Sequence, residues 1–361
     1  MAKRKQRRDE FQDISSYSSK QAYKKNQKKK KRTGLKVFLS FICVILVLVG
    51  GVMIYASTVL LGDLKTTTIT KDKTELGISE ETKSEAGITN IALFGVDARD
   101  YDGGTFAGRS DAIMVMSIDN VHHKVKLTSI MRDVRVYMGD GSPYDSGYDK
   151  LNHAYMYGGP EQAIRAINQN FGLDIQDYVT VNFSAMAKIV DAFGGVNIDL
   201  TEEEVEQVNI NMRDLAATSP DSMAGDVSTY APLSAGEGVL LNGDEAVAYG
   251  RIRAIGNDNG RVERQQEVLS ALLSKASSIS KLEYPSIIQQ LAPLCETSLT
   301  FDKMIGLAQI ALTGFDIERL SIPSDVEGYA SDYCEGGGWM WTYDTDVAAQ
   351  HIHEFIYEDE N

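Results

Sequence analysis

Alternating strand and helix signals predict an α/β fold, a sheet covered by helices on both faces, behind one N-terminal membrane-spanning helix. Three observations lead there. Short apolar runs recur between residues 91 and 200, with helix-periodic segments between them. Residues 37–62 form an uncharged run of 26, beyond the roughly 20 that cross a bilayer as a helix. The chain is 361 residues long, 43% hydrophobic and 24% charged, enough to bury a core, so wholesale disorder is excluded.

Each segment has its own signature. Residues 1–36 hold 14 Lys or Arg against three acids, a net of +11, while the remainder holds 22 basic and 48 acidic residues, a net of -26. The first part reads as a basic cytoplasmic tail. It lacks any fold to read bases, so a topology signal is favoured over nucleic-acid binding. The span at 37–62 exceeds the roughly 7–15 apolar residues of a cleaved signal. With basic residues directly before it, the positive-inside rule places the N-terminus in the cytoplasm and the body outside, a single-pass cell-membrane protein. Residues 63–88 are polar and read as an extracellular stalk. Residues 89–280 read as the main folded domain. Strands are predicted at 91–96, 112–118 and 125–131, the last two joined by a turn at 119–123. Pro160 opens a helix to about residue 170, a strand follows at 178–183, and Ser184 caps a helix ended by Gly194 and Gly195, before a strand at 196–200. Residues 201–237 break the pattern and read as a short helix and a mobile loop, an insertion. A short helix runs through residue 249 and a long one spans about 260–279. Residues 281–361 add helical patterns, a strand at 318–322 and an amphipathic helix at 344–357, packing on the same domain. Cys295 and Cys334 lie in the outward body, where a disulfide between them is expected; Cys43 lies in the span.

Familiar catalytic motifs are missing, including a P-loop, a G-x-S-x-G elbow and H-E-x-x-H. The histidines read as surface residues or, at His153, as part of a helix start. Carboxylates and arginines remain. Asp97 follows one strand and Asp111 starts the next, with a glycine-rich stretch between them that can bring the two together. Such a pair suits Mg²⁺ or Mn²⁺, with phosphate and water completing the shell, or else two loop-capping aspartates. Arg132 ends the third strand, on the sheet edge where ligands of open α/β sheets bind. Arg251 and Arg253 flank Ile252, and Asp258 precedes a helix on which Arg261, Arg264 and Gln265 share one face. Arginines gathered at a helix start oppose its dipole and repel one another, which points to a bound polyanion; the alternative is a network of salt bridges with the many acids. The chemistry implied is phosphoryl transfer with electrostatic stabilisation.

Seven blocks carry a resemblance: NIALFGVDAR, GRSDAIMVMSID, KVKLTSIMRD, KLNHAYMYGGPEQAI, DYVTVNFSAMAKIVDAFGGVNIDL, LNGDEAVAYGRIR and NGRVERQQEVLSALLSK. In this order they resemble the LytR-CpsA-Psr family of cell-wall ligases over about residues 90–280, with a looser match at 281–361. Met131 stands where the family usually has proline. The resemblance implies an α-β-α sandwich around a mixed central sheet. It also implies transfer of an anionic glycopolymer (teichoic acid, capsule or another wall polysaccharide) from a polyprenyl pyrophosphate carrier to peptidoglycan. Asp97 and Asp111 would be metal-associated; Arg132, Arg251, Arg253, Arg261 and Gln265 would clamp the pyrophosphate. Arg99, Arg109, Lys150, Asp258 and Arg264 would stand near it. Asp111 and Asp258 are both candidates to take the acceptor's proton. Met114, Met116, Phe171, Phe183, Met186, Val190 and Phe193 are candidates for a prenyl-tail pocket, with plain core as their other reading. A lipid pyrophosphate hydrolase and a non-catalytic polymer-binding protein are the competing functions.

Overall fold

The structure, a computed structural model, describes residues 65–96, 106, 108–218, 233–278, 290, 294–300, 303–304, 315–334 and 338–358. The basic tail and the expected span at 37–62 lie outside these residues, and no described helix is long and apolar enough to cross a membrane.

In chain order the strands and helices are β1 (Lys65–Thr66), β2 (Ile88–Val96), β3 (Ser110–Asp119), β4 (Lys124–Ile130), β5 (Arg135–Tyr137), β6 (Tyr148–Lys150), α1 (Leu151–Phe171), β7 (Asp177–Asn182) and α2 (Phe183–Ala192). There follow β8 (Val196–Leu200), α3 (Glu202–Thr218), β9 (Gly236–Leu241), α4 (Gly243–Gly250), α5 (Asn257–Ser278), β10 (Glu296–Thr297), β11 (Asp316–Ile322), β12 (Ala330–Cys334), β13 (Gly338–Thr342) and α6 (Thr345–Tyr357). Seven of the described strands form one mixed sheet in the order β1-β10-β7-β2-β3-β4-β11. β2 pairs parallel with β7 and antiparallel with β3, and β4 pairs antiparallel with β3 and parallel with β11. The C-terminal ends of β2, β4 and β7 therefore share one sheet edge with the start of β3.

Alternation along the strands sorts side chains to two faces. Ala92, Phe94, Val96, Ile113 and Val115 pack with α1 and α6 residues such as Ile164, Ile167 and Ile352. Ile91, Leu93, Met116 and Leu127 face the other way, against Leu269 and Leu273 of α5. Two helical layers thus enclose the sheet, the sandwich expected.

Several elements differ from the sequence reading. Residues 65–88 are no stalk: β1 pairs with β10, Ile69, Leu76 and Ile78 are buried, and Asn168 Nδ2 donates to the Leu76 carbonyl at 2.9 Å. The polar composition concealed three core anchors. A helical stretch from Leu151, not expected, precedes the helix at Pro160; the backbone breaks at Gly158 and Gly159 (φ 65° at Gly159), and Pro160 then opens the second stretch, to Phe171, as expected. Asn182, not Ser184, caps α2, its side chain accepting from the Ala185 amide at 2.7 Å. The segment at 201–237 contains a 17-residue helix, α3, and the start of β9; residues 219–232 lie outside the described set. Most of the patterned stretch between 279 and 314 lies outside it too.

Candidate active site

Asp111 owes its position to a β-bulge. β2 and β3 keep register down to Gly95↔Ala112, but Val96 then pairs with Ser110, leaving Asp111 as the extra residue. A bulge frees one residue from the ladder and re-aims its side chain. Arg132 comes from just beyond β4, and its backbone is clamped. The carbonyls of Arg132, Asp133 and Val134 accept from the amides of Asn152, Trp341 and Leu151 at 2.9, 2.9 and 3.0 Å. The Met131 amide donates to the Ile322 carbonyl at 2.8 Å, a bond that proline could not make.

These two residues begin a ladder of alternating charge. Arg132 donates from one terminal nitrogen to Asp111 Oδ1 at 2.7 Å and from Nε to Asp133 Oδ2 at 2.9 Å. Lys150 Nζ lies 3.2 Å from Asp133 Oδ1, and Arg253 stands 4.0 Å from Asp111 Oδ2. Arg132 and Asp111 are 19% and 16% exposed, whereas Arg253 is 56% exposed and can move toward a ligand. A self-repelling arginine cluster was expected; carboxylates interleave the cations instead. Asp133 escaped the sequence reading, which gave it no role.

Lys150 is aimed by the residue before it. Asp149 is buried and accepts from the Lys150 amide at 2.7 Å, from Tyr157 Oη at 2.6 Å, and pairs with His153 Nδ1 at 3.0 Å. Burial alone would raise the Asp149 carboxyl, but bonds from His153, Tyr157 and the Lys150 amide bring it below its ordinary value. A carboxyl depressed by folding contributes stability above its unfolded value near 3.8, and that stability is lost as pH falls through the lower folded value. The melting temperature is therefore expected to drop as pH is lowered from about 5 to about 3. Asp149→Asn should flatten that part of the profile; an unchanged profile would show that the carboxylate is not linked to folding. Arg109 is exposed beside the bulge, and its charge reaches the Tyr157 hydroxyl.

The helix start separates its members. Arg261 is buried in the first turns of α5, one turn before Gln265, whose amide donates to the Gly250 carbonyl at 3.3 Å. Arg251, partly buried, is the C-cap of α4. Arg264, expected beside the pyrophosphate, is committed elsewhere. It donates to Glu204 of α3 at 3.0 Å and to the Ile255 carbonyl at 3.0 Å. Its partner came from the segment read as an insertion. Arg264→Ala should thus cost roughly 1–3 kcal/mol, because half-buried Glu204 keeps only Thr201 as its partner among the described residues. Urea unfolding would show this as a lower midpoint, with turnover per folded molecule near wild type; lost turnover at an unchanged midpoint would return Arg264 to the site. Asp97 and Arg99, and the side chain of Asp258, lie outside the described residues.

Beside the ladder opens an apolar cavity of about 330 Å³ between the sheet and α2, α4 and α5. It exists because the sheet floor is short of bulk: Gly95 and Ala112 are paired, and a Cβ on Gly95 would sit 2.9 Å from that of Ala112. Ala112 adjoins Asp111, and Gly250 and Gln265 bring the rim to Arg251 and Arg261. Of the expected pocket residues, Met114, Met186 and Phe193 line it. Phe171 and Val190 are instead fully buried core, Phe171 on the opposite side of the sheet, and Met116 packs one pleat beyond the cavity. The Phe183 side chain lies outside the described set.

Cys295 also lines the cavity and is a free thiol, pushed up to about 11 by burial, so the disulfide expected with Cys334 is absent. Cys295 precedes β10 near one end of the sheet. Cys334 ends β12, whose hairpin docks at Asp133 and Val134, beyond β4 toward the other end.

A divalent cation can be tested against these groups. Among the described residues no three His, Cys, Asp or Glu side chains converge, and Asp111 has one oxygen engaged by Arg132. Mg²⁺ asks for only one or two carboxylates and fills its octahedron with phosphate and water oxygens, so Asp111 Oδ2, 4.0 Å from Arg253, is the described oxygen that could serve it.

Residues 52–355 match the LytR_cpsA_psr family. The chain belongs to this family. The match runs through the C-terminal region, beyond the seven blocks. The Bacillus subtilis protein named polyisoprenyl-teichoic acid–peptidoglycan teichoic acid transferase TagT is 26% identical over 313 residues, 83% of this chain and 91% of that protein. Bacillus mycoides TagU, named for the same activity, is 28% identical over 316 residues, 85% and 91% of the two chains. The crystal structure of B. subtilis TagT superimposes with a TM-score of 0.58 at 21% identity, over 80% of this chain and 99% of TagT. A TagT structure with bound octaprenyl pyrophosphate lipid gives 0.55 at 20% identity, over 80% and 99%. At these identities the structural likeness is one of fold, and this LytR-CpsA-Psr chain shares it.

Proposed function

We propose that this chain is a membrane-anchored extracellular phosphotransferase. It moves an anionic glycopolymer, such as teichoic acid, from a polyprenyl pyrophosphate to peptidoglycan. One observation carries the reading: a cavity for an apolar chain opens beside a ladder of guanidinium and carboxylate groups, a match to a ligand with a greasy tail and a doubly charged head. The names of the TagT and TagU relatives support it.

In this mechanism the prenyl tail enters the cavity and the two phosphates meet Arg132, Arg251, Arg253 and Arg261. Gln265 holds the rim. The acceptor hydroxyl oxygen bonds to the sugar-bearing phosphorus as the bond from that phosphorus to the bridging oxygen breaks. Polyprenyl phosphate leaves with the electron pair, and the hydroxyl proton passes to a carboxylate, Asp111 or Asp258. The arginines stabilise the leaving phosphate more as its charge grows. A Mg²⁺ held through Asp111 and Asp97 would neutralise phosphate charge when bound.

The deciding experiment gives the protein a synthetic prenyl-pyrophosphate glycan, peptidoglycan oligomers and Mg²⁺. Mass spectrometry should find glycan joined to peptidoglycan through a phosphodiester. Release of glycan phosphate to water alone, with acceptor present, would make the protein a hydrolase.

A further inference from the structure

The β12–β13 hairpin is docked on the charge ladder itself. The Trp341 amide donates to the Asp133 carbonyl at 2.9 Å, and Trp341 forms a β-bridge with Val134. Met340 is buried beneath the hairpin, and alternation puts half-buried Trp339 on the opposite face, beside Trp341, which packs partly against the core. Trp341 packs against Tyr329, their ring centroids 5.2 Å apart, and against Trp339 at 5.1 Å. Tyr333 stands across from Trp339 on that face and is 81% exposed. Lys150 Nζ, the far end of the ladder, lies 5.2 Å from the centre of the Trp339 ring. An aromatic surface thus adjoins the last cation of the site.

We propose that this hairpin is the acceptor platform, where Trp339 and Tyr333 stack against pyranose rings of the peptidoglycan glycan strand. The proposal rests on the transferase reading and adds where the second substrate sits. Its first support is direction. In a phosphoryl displacement the attacking and leaving oxygens lie roughly in line. The lipid cavity reaches the site at Ala112 and Gln265, and the contacts then run from Arg253 through Asp111, Arg132 and Asp133 to Lys150 and Trp339. An acceptor entering over Trp339 approaches from the side away from the lipid.

The second support is chemistry. Sugar rings carry a face of C–H groups that matches the negative face of an aromatic ring, while their hydroxyls stay in water.

The test uses full-length protein and peptidoglycan glycan strands stripped of their peptides, with binding read by calorimetry. Trp339→Ala and Tyr333→Ala should each weaken binding at least tenfold, and Trp339→Phe should recover most of it. Tyr333, being so exposed, keeps the test valid if Trp339→Ala fails to fold. Equal binding by wild type and both alanine variants would overturn the platform. So would variants that keep the glycan but lose anionic vesicles, since the hairpin would then be a membrane contact. The transfer assay separates the two readings. Hairpin-dependent glycan binding without any transfer product sinks the transferase and leaves the platform; transfer with an unaltered acceptor KM in the variants does the reverse.

Discussion

Arg132→Ala should lower transfer by about 10²–10³-fold, the usual loss when one preorganised donor to developing charge is removed. It should also lower stability, by about 1–3 kcal/mol, because Asp111 and Asp133 each lose a partner in a mostly buried setting. The informative variant is Arg132→Lys. A lysine restores a positive charge between the carboxylates and so most of the stability. It cannot reproduce a planar fork that grips two carboxylates and still presents N–H groups to phosphate, so turnover should stay low. Thermal melts and transfer rates on both variants decide the point. A lysine variant that turns over at nearly the wild-type rate would reduce Arg132 to a point charge. An alanine variant that melts early and turns over normally would place the active site elsewhere.

How far the sequence reveals this site depends on the residue. Strand periodicity placed Arg132 and Asp111 on one sheet edge, because apolar runs ended by a charged residue are visible without any partner strand. The bulge that singles out Asp111 is a property of pairing, and nothing in GRSD announces it. Asp133 was hidden for a similar reason: it acts by sitting between Arg132 and Lys150, 18 residues apart in sequence and joined only when Leu151 and Asn152 bond back to Val134 and Arg132. Arg264 shared a helical face with Arg261 and Gln265 and was grouped with them. Its role was set by Glu204, on a helix that the sequence reading made short and assigned to an insertion. The pocket shows the same asymmetry. Bulky residues drew the eye, yet the space comes from Gly95, Ala112, Ala246 and Gly250, whose small side chains are the sequence signal for a void. Core and cavity lining share one vocabulary of apolar residues, so Phe171 and Val190 could not be told from Met114 and Phe193 until the layers were known.

Filling the void gives the other large effect. Leu272 lines the cavity two turns beyond Gln265 on α5, and Ala276 lies a turn further. At about 1.5 Å per residue, Gln265 and Ala276 stand roughly 16 Å apart along the helix, a slot for an extended chain with its head at the rim. Leu272→Trp should place an indole across that slot. Each methylene kept out of an apolar site forfeits about 0.8 kcal/mol, so excluding four costs about 3 kcal/mol, or roughly a hundredfold in Kd. Long-chain prenyl pyrophosphate should bind about a hundredfold more weakly, while a short-chain analogue, whose tail stops before Leu272, should bind as it does to wild type. Growth into open space avoids the overpacking that costs about 1–3 kcal/mol in a filled core, so the melting temperature should hold or rise. A plain packing void predicts something else: filling it would stabilise the fold and leave long-chain affinity untouched. Calorimetric titration with the two chain lengths, beside a thermal melt, separates these outcomes. Equal affinity of the variant and wild type for the long chain would remove the cavity from the mechanism.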